Sequence, residues 1–128
     1  MYVDEKPKTC NICGGEVVLT SNAEIYGKEY GNGRCYLCTN CRAYVGTHKH
    51  EPDRALGTLA DNETRQLRQK CHDLFDKLWL NSPNRKVART HYYKWLSNKM
   101  NIEKEDCHFG YFDKEQCKKA ISFLESEE

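Results

Sequence analysis

The chain has 128 residues, 30% of them charged, a net charge of +1 and eight cysteines. That length allows one compact domain, or a small metal-stapled module followed by a helical one. No apolar run approaches the roughly 18 residues that a membrane helix needs, and "MYVDEKPKTC" holds no apolar signal-peptide core, so the expectation is a soluble, cytoplasmic protein with no membrane contact.

In a reducing compartment disulfides do not persist, so eight cysteines point to thiolate chemistry, with metal binding as the default. The first pair comes early. "CNICGG" is Cys-x-x-Cys followed by two glycines, a zinc-knuckle turn in which backbone N–H groups face the sulfurs and a glycine relieves the tight geometry after the second cysteine. From Thr9 to about His48 the chain is rich in Gly, Cys, Tyr and Val, with short alternating stretches such as "EVVLTS" and "KEYGNGRCYL". This is strand material, and Asn32-Gly33 predicts a tight hairpin turn because both positions tolerate positive φ.

"GRCYLCTNCRAYVG" then offers three evenly spaced cysteines, Cys35, Cys38 and Cys41, where a second knuckle needs two. If Cys35 and Cys38 were the pair, Thr39 would follow the second ligand, where positive φ is often needed and a β-branched residue fits poorly. Arg42 after Cys41 is less costly. Side chains alternate on a strand, so Cys35 and Cys38 face opposite sides. The predicted ligands are therefore Cys10, Cys13, Cys38 and Cys41, two CxxC pairs separated by 24 residues. That is the spacing of a zinc ribbon, with four thiolates around one zinc. Cys35 is left as a free thiol on the other face. Four thiolates leave the centre at net −2, and Lys8 or Arg42 beside the knuckles could serve as neutralising cations or be plain surface residues.

"HKHEPDRALGT" reads as a connector, after which the periodicity turns helical. Leu67, Cys71, Leu74, Phe75, Leu78 and Trp79 form one stripe on a helix of about five turns, which Thr58 or Asp61 can cap. Ser82-Pro83 offers a cap and first-turn proline for a second helix. Its expected buried face is Val87, Ala88, Tyr92, Trp95, Leu96 and Met100. A third helix opens at "FDKEQC", with Asp113 as cap, Gln116 reaching back, Phe112 as staple on Cys117, and Cys117, Ala120, Ile121 and Leu124 as its apolar face. The fold class is thus α+β: a four-cysteine zinc ribbon of β-hairpins over residues 1–50, packed on or linked to a small helical domain of three helices over 51–128.

The order of a CxxC knuckle, "SNAEIYGKEYG", "CTNCRAYVGTH", "LGTLADNETRQLRQKCHDLFDKLW" and "CHFGYFDKEQC" resembles a bacterial and phage family, a zinc-finger-containing domain of unknown function frequent on mobile elements. The likeness runs from Cys10 to about Leu124. It implies a zinc held by Cys10, Cys13, Cys38 and Cys41, while a cysteine at position 35 is not part of the family pattern. It implies no activity.

"CH" occurs twice, at Cys71-His72 and Cys107-His108, and Cys117 follows. A second metal site is disfavoured because Cys71 and Cys117 fall in apolar stripes, where free cysteine behaves as a small hydrophobe. His72 and His108 could lock the first helix to the last turn as a hydrogen-bonded pair, or act as acid and base with Asp76 or Asp113. No nucleophile or Gly-rich phosphate loop accompanies them, which favours the structural role. A His-Asn-His nuclease would use His48 or His50, but the rest of its arrangement is missing.

Charge is uneven. From Thr64 to Met100 there are nine Lys/Arg against two acids, and from Asn101 onward eight acids against four lysines. A basic middle suggests a polyanionic partner, although solvated helix faces would give the same count. The expected function is a non-enzymatic module contacting nucleic acid. Tyr26, Tyr30, Tyr36 and Tyr44 would offer stacking faces beside Lys28, Arg34 and Arg42 on the ribbon, with Arg85, Lys86, Arg89 and Lys94 adding phosphate contacts. Tyr26 and Tyr30 share strand parity, which permits one exposed aromatic face. Tyrosines covering a sheet too small to bury itself would look the same. The alternative is a phage or mobile-element factor that binds a host protein and inhibits or adapts host machinery; a His-based hydrolase or nuclease ranks last.

Overall fold

The computed structural model describes residues 4–126. The chain is α+β and divides into two compact units, the boundary falling between Asn62 and Glu63. The first unit is a curled antiparallel sheet of β1 (Val17–Ser21), β2 (Arg34–Cys38), β3 (Tyr44–His48) and β4 (Glu51–Ala55), ordered in space as in sequence. Val17 pairs with Cys38, Cys35 with Gly46, and Thr47 with Ala55. Alternation along β2 sends Tyr36 and Cys38 into a small core with Val17, Ala43, Val45, Ala55 and Leu59, leaving Cys35 and Leu37 for the opposite face. Both faces of β2 are covered, since Cys35, Tyr36, Leu37 and Cys38 are all buried.

Two sequence expectations change here. "HKHEPDRALGT" is not a connector and the ribbon does not end at residue 50, because Glu51–Ala55 forms β4 and pairs with β3. Pro52 and the charged neighbours disguised it; such residues are tolerated on an edge strand, where one row of backbone groups needs no partner. That outer row is partly met by the preceding chain, as Ala55 N–H donates to Glu5 O and Arg54 pairs with the Glu5 carboxylate. Beyond β4, the Asn11 carboxamide makes two 3.0 Å hydrogen bonds to the backbone of Leu59, and Tyr44 bridges Ala60.

The second change concerns Asn32-Gly33, which does not close a two-residue hairpin. β1 and β2 are joined by residues 22–33, including a single helical turn, α1 (Ala23–Tyr26). The Asn22 side chain holds this loop shut by donating to Tyr30 O and accepting from Tyr30 N–H. Asn32 instead donates through Nδ2 to Thr47 Oγ1 and His48 O, both at 2.8 Å, tying the loop to β3. The dipeptide is used as a loop anchor.

The second unit contains α2 (Asn62–Trp79), α3 (Arg85–Met100) and α4 (Lys114–Ser126), with 3-10 turns at Lys104–Asp106 and Phe109–Tyr111. Cys71, Leu74 and Phe75 of α2 meet Cys117, Ala120, Ile121 and Leu124 of α4 in one core, completed by Leu96, Met100, Cys107, Phe109 and Phe112. The stripes read from sequence on α2 and α4 are therefore the buried ones, although Leu67, Leu78 and Trp79 are only partly covered. At α4 the reciprocal cap forms: Gln116 N–H donates to Asp113 Oδ1 at 2.8 Å, and Asp113 N–H donates to Gln116 Oε1 at 3.1 Å. Arg68 Nε of α2 donates to Phe112 O.

In α3 the sequence reading is off in two respects. Its cap is Asn84, whose side chain accepts from Val87 N–H, and not Ser82. Its buried side keeps the expected Leu96 and Met100, with Tyr92 and Trp95 partly covered, but adds Tyr93 and Ser97 and loses Val87, which is 62% exposed. Tyr92, Tyr93 and Trp95, crowded within four positions, all pack at the edge of the core, so the periodicity has more than one solution. Among the described residues, no helix is long and apolar enough to cross a membrane.

Candidate metal centre

The sulfurs of Cys10, Cys13, Cys38 and Cys41 all lie within 4.8 Å of one another. Cys10 and Cys41 are 3.7 Å apart and Cys13 and Cys38 3.5 Å. Zinc–sulfur bonds of about 2.3 Å at tetrahedral angles place sulfurs about 3.8 Å apart, so the set fits one zinc. Each knuckle contributes one buried and one exposed cysteine.

Local backbone builds the cradle. Gly14, just after the second cysteine of the first knuckle, has φ +76°, and Arg42, in the matching place of the second, has φ +67°. The position that argued against Thr39 is thus in the left-handed region in both knuckles, and arginine accepts there a strain that costs about 1–2 kcal/mol. Its guanidinium donates to Glu24 O, holding the knuckle to α1. Gly15 is needed for a different reason. A Cβ on it would stand 2.8 Å from Asn40 Cβ and within 3.2 Å of two sulfurs.

Donors converge on the sulfurs. Ile12 N–H points at Cys10, Gly15 N–H at Cys13, and the N–H groups of Asn40 and Cys41 at Cys38. Asn40 Nδ2 adds a side-chain donor to Cys13, one that sequence reasoning missed although its place inside the knuckle marks it. Asn40, Gly15 N–H and the Cys38 thiol pull Cys13 down to about 6. Cys41 goes the other way, to about 12: Ala43 N–H favours its thiolate, but desolvation and the neighbouring sulfurs hold the proton. Four thiols this close cannot all ionise without a cation among them, and one is poised to do so first.

Cys35 stands apart from this cluster, 1% exposed, its thiol pushed up chiefly by burial. Among the described residues no second group of metal-suited side chains occurs. Cys71 and Cys117 are fully buried, and Cys71 Sγ donates to Cys117 O across the α2–α4 contact. Replacing either with alanine should lower stability by on the order of 1–2 kcal/mol, the cost of a small cavity, and leave metal content unchanged; a thermal melt with elemental analysis checks both.

His72 and His108 are each exposed and pack on different rings, His72 on Phe109 with centroids 4.8 Å apart and His108 on Tyr111 at 4.8 Å. Among the described residues the two histidines make no hydrogen bond to each other, so the expected pair does not form; His108 instead packs on Tyr111 of the 3-10 turn that follows it.

The aromatic residues of the ribbon also sort themselves. Tyr26 and Tyr30, 50% and 52% exposed, meet edge to face at 5.4 Å, and Tyr26 meets Tyr44 at 6.1 Å. Strand parity is not the cause, since Tyr26 lies in α1 and Tyr30 in the loop that follows it. Lys28 Nζ sits 5.2 Å above the Tyr30 ring. A cleft of about 660 Å³ beside them is lined by Tyr26, Tyr30, Asn32, Arg34, Thr47 and Lys49, with no acidic side chain. Lys49 was not singled out from sequence, lying past the strand. Tyr36 is not a stacking face at all: it is 5% exposed in the sheet core and donates to Asp53 O.

On α3, Arg85, Lys86 and Arg89 line one cleft with Trp79 and Tyr93, whereas exposed Lys94 lies outside it. Arg89 is held by rings, its guanidinium carbon 5.2 Å from the Tyr93 centroid and 5.8 Å from that of Trp79.

Residues 6–127 match the family described as a zinc-finger-containing domain. The match spans nearly the whole chain, and the chain belongs to that family. No curated protein and no solved structure matches it.

Proposed function

We propose that this zinc-finger-containing domain binds one zinc through Cys10, Cys13, Cys38 and Cys41 and acts as a non-enzymatic module that contacts nucleic acid. Zinc in such a set is structural: four thiolates fill its coordination and leave no position for a substrate. The chain's residues prepare the set, with N–H donors offsetting the thiolate charge and Gly15 leaving room for the sulfurs.

The observation that carries the nucleic-acid reading is the exposed Tyr26–Tyr30 pair beside a cleft whose charged lining groups, among the described residues, are Arg34 and Lys49 alone. Aromatic faces next to cations suit unpaired bases and their phosphates. Lys28 adds charge at the rim.

Fluorescence anisotropy with a labelled single-stranded 12-mer, DNA or RNA, tests this. Stacking is worth about 1–3 kcal/mol per base, so Tyr26→Ala with Tyr30→Ala should weaken binding about tenfold or more. Both side chains are exposed, and zinc content should stay at one per chain. Wild-type affinity should fall steeply with salt. Absence of binding to single- or double-stranded DNA or RNA at low salt refutes the reading.

A further inference from the structure

We infer that the cleft between α2 and α3 in the helical unit is a second binding site, for a phosphate ester that carries an aromatic base. The cleft has a volume of about 300 Å³ and is lined by Trp79, Arg85, Lys86, Arg89, Thr90 and Tyr93. Three cations face it, and among the described residues no carboxylate lines it.

Their placement is what needs an explanation. Arg85 and Lys86 stand in the first turn of α3, which has no acidic residue. The positive end of the helix dipole repels cations there, where Asp or Glu would normally be favoured. Neither side chain has an ion-pair or hydrogen-bond partner among the described residues. A dianionic phosphate in the cleft would pair with both side chains.

Arg89 is prepared differently. Trp79 and Tyr93 fix its guanidinium, and Nη2 donates to Tyr93 Oη at 3.5 Å. Tyr93 Oη, accepting from Arg89, keeps its own hydrogen to donate into the cleft, and burial of the ring holds that hydrogen in place. A planar guanidinium and a tyrosine ring are both surfaces on which a base stacks. An acidic peptide would use the charges and leave these faces idle. A neighbouring cleft of about 370 Å³ shares Arg89, Thr90 and Tyr93 and extends toward Lys104, Glu105 and His108, giving room for the rest of a nucleotide. The ligand can be a free nucleotide or a nucleotide within a strand; the chemistry recognised is the same, and the site is independent of the ribbon cleft.

The test is amide and indole NMR on the zinc-loaded, ¹⁵N-labelled full chain, titrated at low salt with inorganic phosphate, AMP, oligo-dT and poly-glutamate. AMP or oligo-dT should move the Trp79 indole and Arg89 Nε signals, AMP binding about tenfold tighter than phosphate because of base stacking. Movement with AMP identifies free nucleotides as ligands, and movement with oligo-dT alone identifies a strand. Arg85→Gln with Lys86→Gln, both on exposed side chains, should weaken that binding about tenfold or more, while Tyr26→Ala with Tyr30→Ala leaves it unchanged. Failure of the ribbon variant to weaken oligonucleotide binding would count against the ribbon reading alone. The inference is overturned if the Trp79 and Arg89 signals stay still with both AMP and oligo-dT. It is equally overturned if the Arg85/Lys86 variant binds as wild type, or if phosphate or poly-glutamate binds as tightly as the nucleotide ligand that moves those signals.

Discussion

Cys38→Ser or Cys41→Ser should empty the metal site and unfold the ribbon, whereas Cys35→Ser should keep one zinc per chain. The reason lies in the size of the competing terms. The first unit buries only a handful of apolar side chains, chiefly Val17, Tyr36, Ala43, Val45, Ala55 and Leu59. Structural zinc contributes about 10–16 kcal/mol of binding free energy, as large as the whole stability of a small domain. Loss of one thiolate removes much of that, and leaves three sulfurs crowded within 4.8 Å with no cation between them. Cys35 is just as buried as Cys38 but lies on the other face of β2, so its replacement costs stability by ordinary packing alone. Elemental analysis and far-UV circular dichroism on the three variants decide the matter. Metal loss in Cys35→Ser would show that the wrong pair had been assigned.

Phe75→Ala should produce the largest loss in the helical unit, about 3–5 kcal/mol. Phe75 is fully buried, with the Tyr93 ring 4.3 Å and the Phe109 ring 5.5 Å from its centroid, so truncation opens a cavity where α2, α3 and the 3-10 turn meet. In a unit of this size such a loss lowers the melting temperature by more than ten degrees, and zinc should stay at one per chain because no ligand lies in this unit. Val87→Ala is the control. On the face first expected to be buried it would cost more than 1 kcal/mol, but at 62% exposure it should change stability by less than about 0.5 kcal/mol. Denaturant melts of the two variants separate the two assignments of the α3 face.

What was legible in the sequence was whatever is decided within a few residues. The knuckle cysteines could be chosen because backbone sign and strand parity are local, and the Asp113–Gln116 cap because a capping box spans four residues. The stripes of α2 and α4 were legible for a related reason: their apolar residues admit a single helical phase. The remaining features depend on partners distant in sequence. β4 is made by pairing with β3, against the preferences of Glu51, Pro52 and Asp53. Asn32 does sit in a turn, closed by Gly33 N–H to Tyr30 O, but the turn is not the hairpin's, and the Asn32 carboxamide is also spent on Thr47 and His48. Arg89 looked like a free cation until Trp79, ten residues earlier, closed over it. The exposed tyrosine pair was expected, but through a strand that does not exist; a helical turn and a loop bring the rings together instead.

The meander order of the sheet has a consequence for how the protein is made. Every strand pairs with its neighbour in sequence, and all four cysteines of the cluster are present once Cys41 has left the ribosome. Chains emerge at about 5–20 residues per second and domains fold as units, N-terminal first. Short-range pairings of this kind close quickly, on a scale much faster than the seconds needed to add the remaining residues. The ribbon can therefore capture its metal and complete β4 while α3 and α4 have yet to emerge from the ribosome, and its thiolates are out of reach of Cys71, Cys107 and Cys117 before those residues leave the exit tunnel.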